Sequence, residues 1–382
     1  MRILFFYHSL YSDWNHGNAH FLRGVAWELG SRGHNVEIYE PEDSWSFNHL
    51  IAEQGDRVIA EFRRVYPSLR GIRYDPLTLD LERVLDGASL VIVHEWNSVE
   101  FIRKIGHYRQ KLGGFRAFFH DTHHRSVTEP HTLAQYELST YDAVLAYGES
   151  IRRVYLAHGW AQRVFTWHEA ADTRIFHPLP AQRKDSDVVW IGNWGDEERS
   201  AEVREFFIKP VCELGLRARA FGVRYPDGAL QELAAAGIEY GGWLPNFRVP
   251  QVFATSRVTL HIPRAPYAHR LPGIPTIRPF EALACGIPLI SAPWDDAEGL
   301  FRPGEDFLVA HDQQEMAMHL RSILSSPELA AKLGASGLER IHSRHTCRHR
   351  VDELLQIYNA LHLEQYQPPA QFSYPQNQEM LT

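Results

Sequence analysis

The chain has 382 residues, of which 44% are hydrophobic and 23% charged, and a formal net charge of −8. That length exceeds one compact core and suits two domains, and the composition is that of a globular protein. An acidic balance with five lysines argues against nucleic acid as a partner, because that binding needs a surplus of Lys and Arg, and no apolar stretch approaches the roughly 18 residues of a transmembrane segment.

Short apolar runs alternate with helix-period segments, the pattern of parallel β/α units. In the first half, strands are expected at residues 3–7, 35–39, 89–93, 116–119, 143–147 and 164–167. A helix is expected over Ala19–Ser31, stopped by Gly33. The periodicity breaks at 172–180, and the polar stretch 181–187 reads as a linker. In the second half, strands are expected at 188–191, 217–221, 258–262 and 288–291, and helices at 201–214, 230–236, 249–256 and 279–285. Helical pattern then runs from 314 to 361, with breaks near 326–327 and 334–337, before a proline-bearing polar tail, 365–382, expected to be disordered. The fold class is therefore α/β, with two doubly wound Rossmann-like domains (1–180 and 181–364) facing each other across a cleft, the last helix packing back on the first domain. Cys212, Cys285 and Cys347 lie far apart without a CxxC spacing, so neither a disulfide framework nor a zinc site is expected and the cytoplasm is the expected compartment.

In doubly wound folds the ligand sits at the carboxyl ends of the strands. Those ends carry titratable groups repeatedly: His8, His94-Glu95, His120-Asp121, Glu149-Ser150 and His168-Glu169. Each alone reads as a hydrogen-bonded surface residue; their recurrence along one edge points to a site. The run from His120 to His124 resembles a metal-ligand cluster, but no second cluster has matching spacing, and no metal is expected. The polar loop from Asp13 to Asn18 places Gly17 where backbone could approach a ligand, yet it lacks the GxGxxG pattern of dinucleotide binding. In the second half, Gly192 and Asn193 open a glycine-bearing turn after a strand, and Arg264 follows another strand.

The most informative segment is 270–290, a Pro/Gly-rich loop leading into a short helix that Gly286 stops. Arg278 in the first helical turn opposes the helix dipole, a penalty of a few tenths to ~1 kcal/mol that an anion held between them would reverse. The N–H groups of Gly273, Ile274, Thr276 and Ile277 can donate to such an anion. Glu281 can accept two ribose hydroxyls. The simpler alternative is an Arg278–Glu281 pair at i,i+3.

The sequence Arg-Pro-Phe-Glu-Ala-Leu-Ala-Cys-Gly-Ile-Pro-Leu-Ile from Arg278, with Phe301 to Asp306 downstream, resembles the glycosyltransferases of the GT-B fold. It is most similar to their CgeB-like, spore-maturation group and more distantly to the family-4 retaining enzymes. The segments His16 to Gly24, Gly33 to Val36 and Asp172 to Pro178 extend the resemblance over most of the chain. It implies a nucleoside-diphosphate sugar as donor, no tightly bound cofactor and an unidentified acceptor (glycan, small molecule, lipid or protein). Glu281 would bind the ribose, Arg278 and the backbone from Gly273 to Ile277 the pyrophosphate, and Gly17 would lie near the transferred sugar. His120, with Asp121 beside it, matches a position that related enzymes set against the sugar, and the two are the catalytic candidates. Two departures stand out. The family-4 enzymes carry a glutamate where this chain has Gly273, and their Arg/Lys pair has no clear match beyond Arg199. A nucleotide-sugar 2-epimerase and a non-catalytic nucleotide-sugar binder remain alternatives.

Overall fold

In the computed structural model, which describes residues 1–364, two parallel sheets with interleaved helices form two lobes. The first sheet contains β1 (Arg2–Phe6), β2 (Asn35–Pro41), β3 (Gly71–Tyr74), β4 (Leu90–His94), β5 (Arg116–Asp121), β6 (Ala143–Ala146) and β7 (Val164–Thr166), in the order β3-β2-β1-β4-β5-β6-β7. The second contains β8 (Ser186–Ile191), β9 (Ala218–Phe221), β10 (Glu239–Tyr240), β11 (Ser256–His261), β12 (Leu289–Ser291) and β13 (Leu308–Val309), in the order β10-β9-β8-β11-β12-β13. Every pairing is parallel, with Phe5 opposite both Ile38 and Ile92 at the centre of the first sheet. Both faces of these central strands are covered by helices, so residues 3–6 and 90–93 are wholly buried apolar runs rather than alternating ones. Strand order reverses between β1 and β4 in one lobe and between β8 and β11 in the other, which opens a crevice at each reversal.

The helix Ala19–Ser31 has the expected bounds. Three expectations change. The linker is shorter than 181–187, because β8 begins at Ser186, where the Ser186 and Ser256 hydroxyls meet at 2.8 Å. The segment 201–214 is not a regular helix: a π turn over Arg204–Ile208 precedes Pro210, whose ring and missing N–H a regular turn would not accommodate. No break occurs at 334–337, because Pro327–Arg344 is one helix. Its glycines serve close packing instead: a Cβ on Gly334 would lie 2.4 Å from the Gly286 carbonyl oxygen, and one on Gly337 2.5 Å from Leu283. The tail 365–382 lies outside the described residues.

The last helix, Cys347–Glu364, crosses back to the first lobe. There Val351, Leu354 and Leu361 join the apolar cluster of Phe21, Leu22 and Val25. Trp167 Nε1 donates to the Arg350 carbonyl (2.8 Å), and Ala171 pairs with the chain at the start of this helix, its N–H donating to the His345 carbonyl (2.9 Å). Two crossings of the chain are thus hydrogen-bonded to each other. No helix among the described residues is long and apolar enough to cross a membrane.

Candidate active site in the interlobe cleft

The carboxyl ends of both sheets face one cavity of about 450 Å³. The loop after β1 forms its floor. Asp13 ties the loop together and spans the cleft, accepting from Arg23 Nη1 (2.9 Å), Trp243 Nε1 (3.1 Å) and the Asn246 N–H (3.0 Å). Gly17 brings its backbone against the start of the helix Ile277–Ala284: a Cβ there would stand 3.2 Å from Ile277 Cγ2. Across the cleft Asn15 bonds to Asn193.

On the C-terminal wall Arg199, Arg264 and Arg278 converge. Arg199 donates to the carbonyls of Asn193 (2.5 Å) and Ile262 (3.1 Å), while its buried Nε has no partner among the described residues. Burial, with Arg264 and Arg278 beside it, lowers the Arg199 guanidinium to about 9, so it remains charged at neutral pH. Arg264 is held by Glu198 at 2.6 Å. Arg278 pairs with Glu281, and its buried Nε is also without a partner among the described residues. Between these cations begins the helix Ile277–Ala284, whose preceding residue, Thr276, makes no side-chain cap. Thr276 adopts φ 56°, a left-handed conformation that costs a β-branched residue strain and that persists only where the surroundings impose it. The result is a helix N-terminus with open N–H groups and three guanidiniums around it, a geometry suited to a diphosphate.

The N-terminal wall differs. His16, His123, His124 and Glu169 line it. Burial lowers His123 to about 3 and His124 to about 4, and pushes His16 well below its ordinary value. Burial, and then the charge of Glu281, push the Glu169 carboxyl well above the glutamate range. The three histidines are thus uncharged at neutral pH. His16 Nε2, His123 Nδ1 and Glu169 Oε1 are buried with no hydrogen-bond partner among the described residues.

Of the residues singled out from the sequence, Gly17, Gly192, Asn193, Arg199, Arg264, Thr276, Ile277 and Arg278 line the cavity. Gly273, Ile274, Glu281, His120 and Asp121 do not. Gly273 adopts φ 91° and donates to the Asp295 carbonyl (2.6 Å), and a Cβ there would meet Glu298 at 2.8 Å. Ile274 packs into the core against Gly148. Glu281 is wholly buried, 2.9 Å from His20 Nδ1 and accepting from Asn246 Nδ2 (3.1 Å) as well as from Arg278. Burial raises its carboxyl, but Arg278, His20 and Asn246 outweigh that and leave it below the ordinary glutamate range. The i,i+3 pair is therefore present, and the carboxylate that it engages faces protein rather than the cavity.

The catalytic pair needs correction. The strand expected to end at residue 119 runs on to Asp121, so His120 and Asp121 are the last two residues of β5 and have no exposure. His120 Nδ1 bonds to the Tyr7 hydroxyl and its ring lies edge-on to Trp167 (4.8 Å between centroids). Asp121 accepts from Tyr155 OH (2.7 Å) and the His123 N–H (3.0 Å). It braces the loop that presents His123 and His124, and it touches the cavity at no point. Glu169, at a strand end already singled out, lies on the cavity, and His123 and His124 follow β5 by two and three positions, so the strand-end rule held their signal; His16, ten positions past β1, and Tyr267 and Asn246, also on the cavity, lie outside that rule. Among the described residues, no three of His, Cys, Asp and Glu gather as a metal-binding group.

Residues 199–356 match the glycosyl transferase-like family. This stretch is a glycosyltransferase-family domain. The cavity arginines and the helix Ile277–Ala284 belong to that domain, whereas the Gly192-Asn193 turn and the whole N-terminal wall lie outside it. No curated protein matches the chain in sequence. Solved structures match it over nearly its full length. A glycosyltransferase from Rickettsia africae is 11% identical, covering 94% of this chain and 98% of that one, with a TM-score of 0.68. HepE of Anabaena, in complex with UDP and glucose, is 13% identical over 94% of this chain and 100% of that one (TM-score 0.66). Sucrose-phosphate synthase from Thermosynechococcus elongatus is 14% identical over 95% and 100% (TM-score 0.64). At such identities the likeness concerns the fold, and the fold is GT-B.

Proposed function

We propose that the protein transfers a glycosyl group from a nucleoside-diphosphate sugar to an acceptor hydroxyl. The observation that carries this reading is the convergence of Arg199, Arg264 and Arg278 on the uncapped start of the helix Ile277–Ala284, inside the interlobe cavity. The UDP and glucose bound to the similarly folded HepE support it. In transfer, the bond from the anomeric carbon to the diphosphate breaks and its electron pair leaves with the diphosphate. The acceptor oxygen then bonds that carbon, and its proton passes to an oxygen of the departing diphosphate. The arginines and the helix N-terminus neutralise the charge growing on the leaving group, the task a metal ion performs elsewhere. Arg264 takes the place of the second cation for which the sequence offered no match. Glu281 serves in this reading by holding Arg278 at the cavity wall. The CgeB-like assignment, retention of configuration and the division of the chain at about residue 180 belong to the same proposal and rest on the sequence resemblance.

Titration calorimetry with UDP, GDP and dTDP tests it. One of the three is expected to bind at micromolar strength, and Arg278→Ala to weaken that binding at least tenfold. Absence of any nucleoside diphosphate binding, or an Arg278→Ala variant that binds unchanged, would overturn the reading.

A further inference from the structure

Glu169 lies three residues beyond the end of β7, lines the cavity and is 2% exposed. Its Oε1 has no hydrogen-bond partner among the described residues, and the carboxylate that acts on it, Glu281, repels it. A buried carboxyl with no partner destabilises a fold, and replacement by an apolar or amide side chain would relieve that. Nothing in its packing accounts for a carboxyl here; a ligand would.

The position of the diphosphate indicates which part of the ligand. With the phosphates at the arginines of the C-terminal wall, the group beyond the second phosphate extends toward the opposite wall, where Glu169, His16 and His123 present unpartnered polar atoms. An imidazole nitrogen and a carboxyl each give or take one hydrogen bond from a hydroxyl. Arg125, the cation nearest this wall by sequence, is committed to Glu95 at 2.6 Å.

Resting on the transferase reading above, we propose that Glu169 is the residue that recognises the transferred sugar, and that this sugar is an uncharged hexose rather than a uronic acid. A uronate would bring its carboxylate to a wall where the neighbouring guanidinium, Arg125, is already committed to Glu95. A site built to pair hydroxyls discriminates sharply, because the wrong ligand leaves its groups unpaired.

The test is calorimetry on the full chain with UDP, UDP-glucose and UDP-glucuronate, and with GDP, GDP-mannose and GDP-mannuronate. The wild type is expected to bind the neutral nucleotide sugar at least tenfold more tightly than its uronate. Glu169→Ala is expected to weaken the neutral nucleotide sugar at least tenfold while the affinity for the diphosphate alone stays within twofold, which also reports an intact fold. Glu169→Gln, which keeps the hydrogen bonds, is expected to recover part of the loss. Equal loss for diphosphate and nucleotide sugar, no loss for either, or uronate binding that matches the hexose would each overturn the assignment. Failure of every diphosphate to bind the wild type would instead strike the transferase reading itself, and is recognisable as such before any variant is made.

Discussion

The two walls of the cleft have answered the loss of water in opposite ways. On the C-terminal wall the desolvated groups are arginines, which hold their charge even when burial and two neighbouring guanidiniums bring Arg199 down to about 9. On the N-terminal wall they are histidines, which escape the same penalty by becoming neutral, and a glutamate whose carboxyl burial pushes well above its ordinary range. Residue type thus sorts the cavity into a half that demands an anion and a half that offers hydrogen bonds without charge. A nucleotide sugar is divided in the same way.

The contrast can be broken at three points. The largest effect is expected at Glu281, whose buried carboxylate holds Arg278, His20 and Asn246 together. Glu281→Ala leaves a buried cation uncompensated and should cost about 3–5 kcal/mol of stability, read by denaturant unfolding; a loss under 1 kcal/mol would mean that Arg278 is not anchored there. Next is Arg199→Ala, expected to remove about 2–3 kcal/mol of charge-assisted bonding, roughly 30- to 150-fold in the Kd of the nucleoside diphosphate that binds. Lysine at this position should restore little, since it has no planar fork to reach the Asn193 and Ile262 carbonyls as well as a phosphate.

The smallest effect is an expected absence of one. His123 and His124 are lowered to about 3 and about 4, so both are already deprotonated above pH 5, and burial moves His16 in the same direction. Binding of UDP-glucose, or of GDP-mannose if guanosine is preferred, should therefore be flat between pH 6 and 8. These donors have no phosphate that titrates in that range. An affinity that rises as pH falls through 6.5 would show that the wall carries charge after all.

The sequence disclosed the central strands and the edge strand β7, but missed the other three edge strands, β3, β10 and β13. Residues 71–74, Gly-Ile-Arg-Tyr, carry no apolar run because Ile72 and Arg73 face solvent, and β10 and β13 are only two residues each. In the site, the groups just past a strand end were legible, since topology alone brings those ends together. Two failures have physical causes. A strand that continued two residues further turned His120 and Asp121 from loop residues into core. The burial of Glu281 depends on His20, 261 positions away, and on Asn246, 35 positions away, and no local pattern announces either contact.

The returning last helix has a consequence for biosynthesis. The second lobe, from β8 to the end of the helix Pro327–Arg344, is continuous in the chain and has all its own elements once residue 344 has left the ribosome. The first lobe is translated earlier, yet part of its apolar core is Val351, Leu354 and Leu361, and the Trp167 indole waits for the Arg350 carbonyl. The half of the protein that is made first is therefore the half that is finished last.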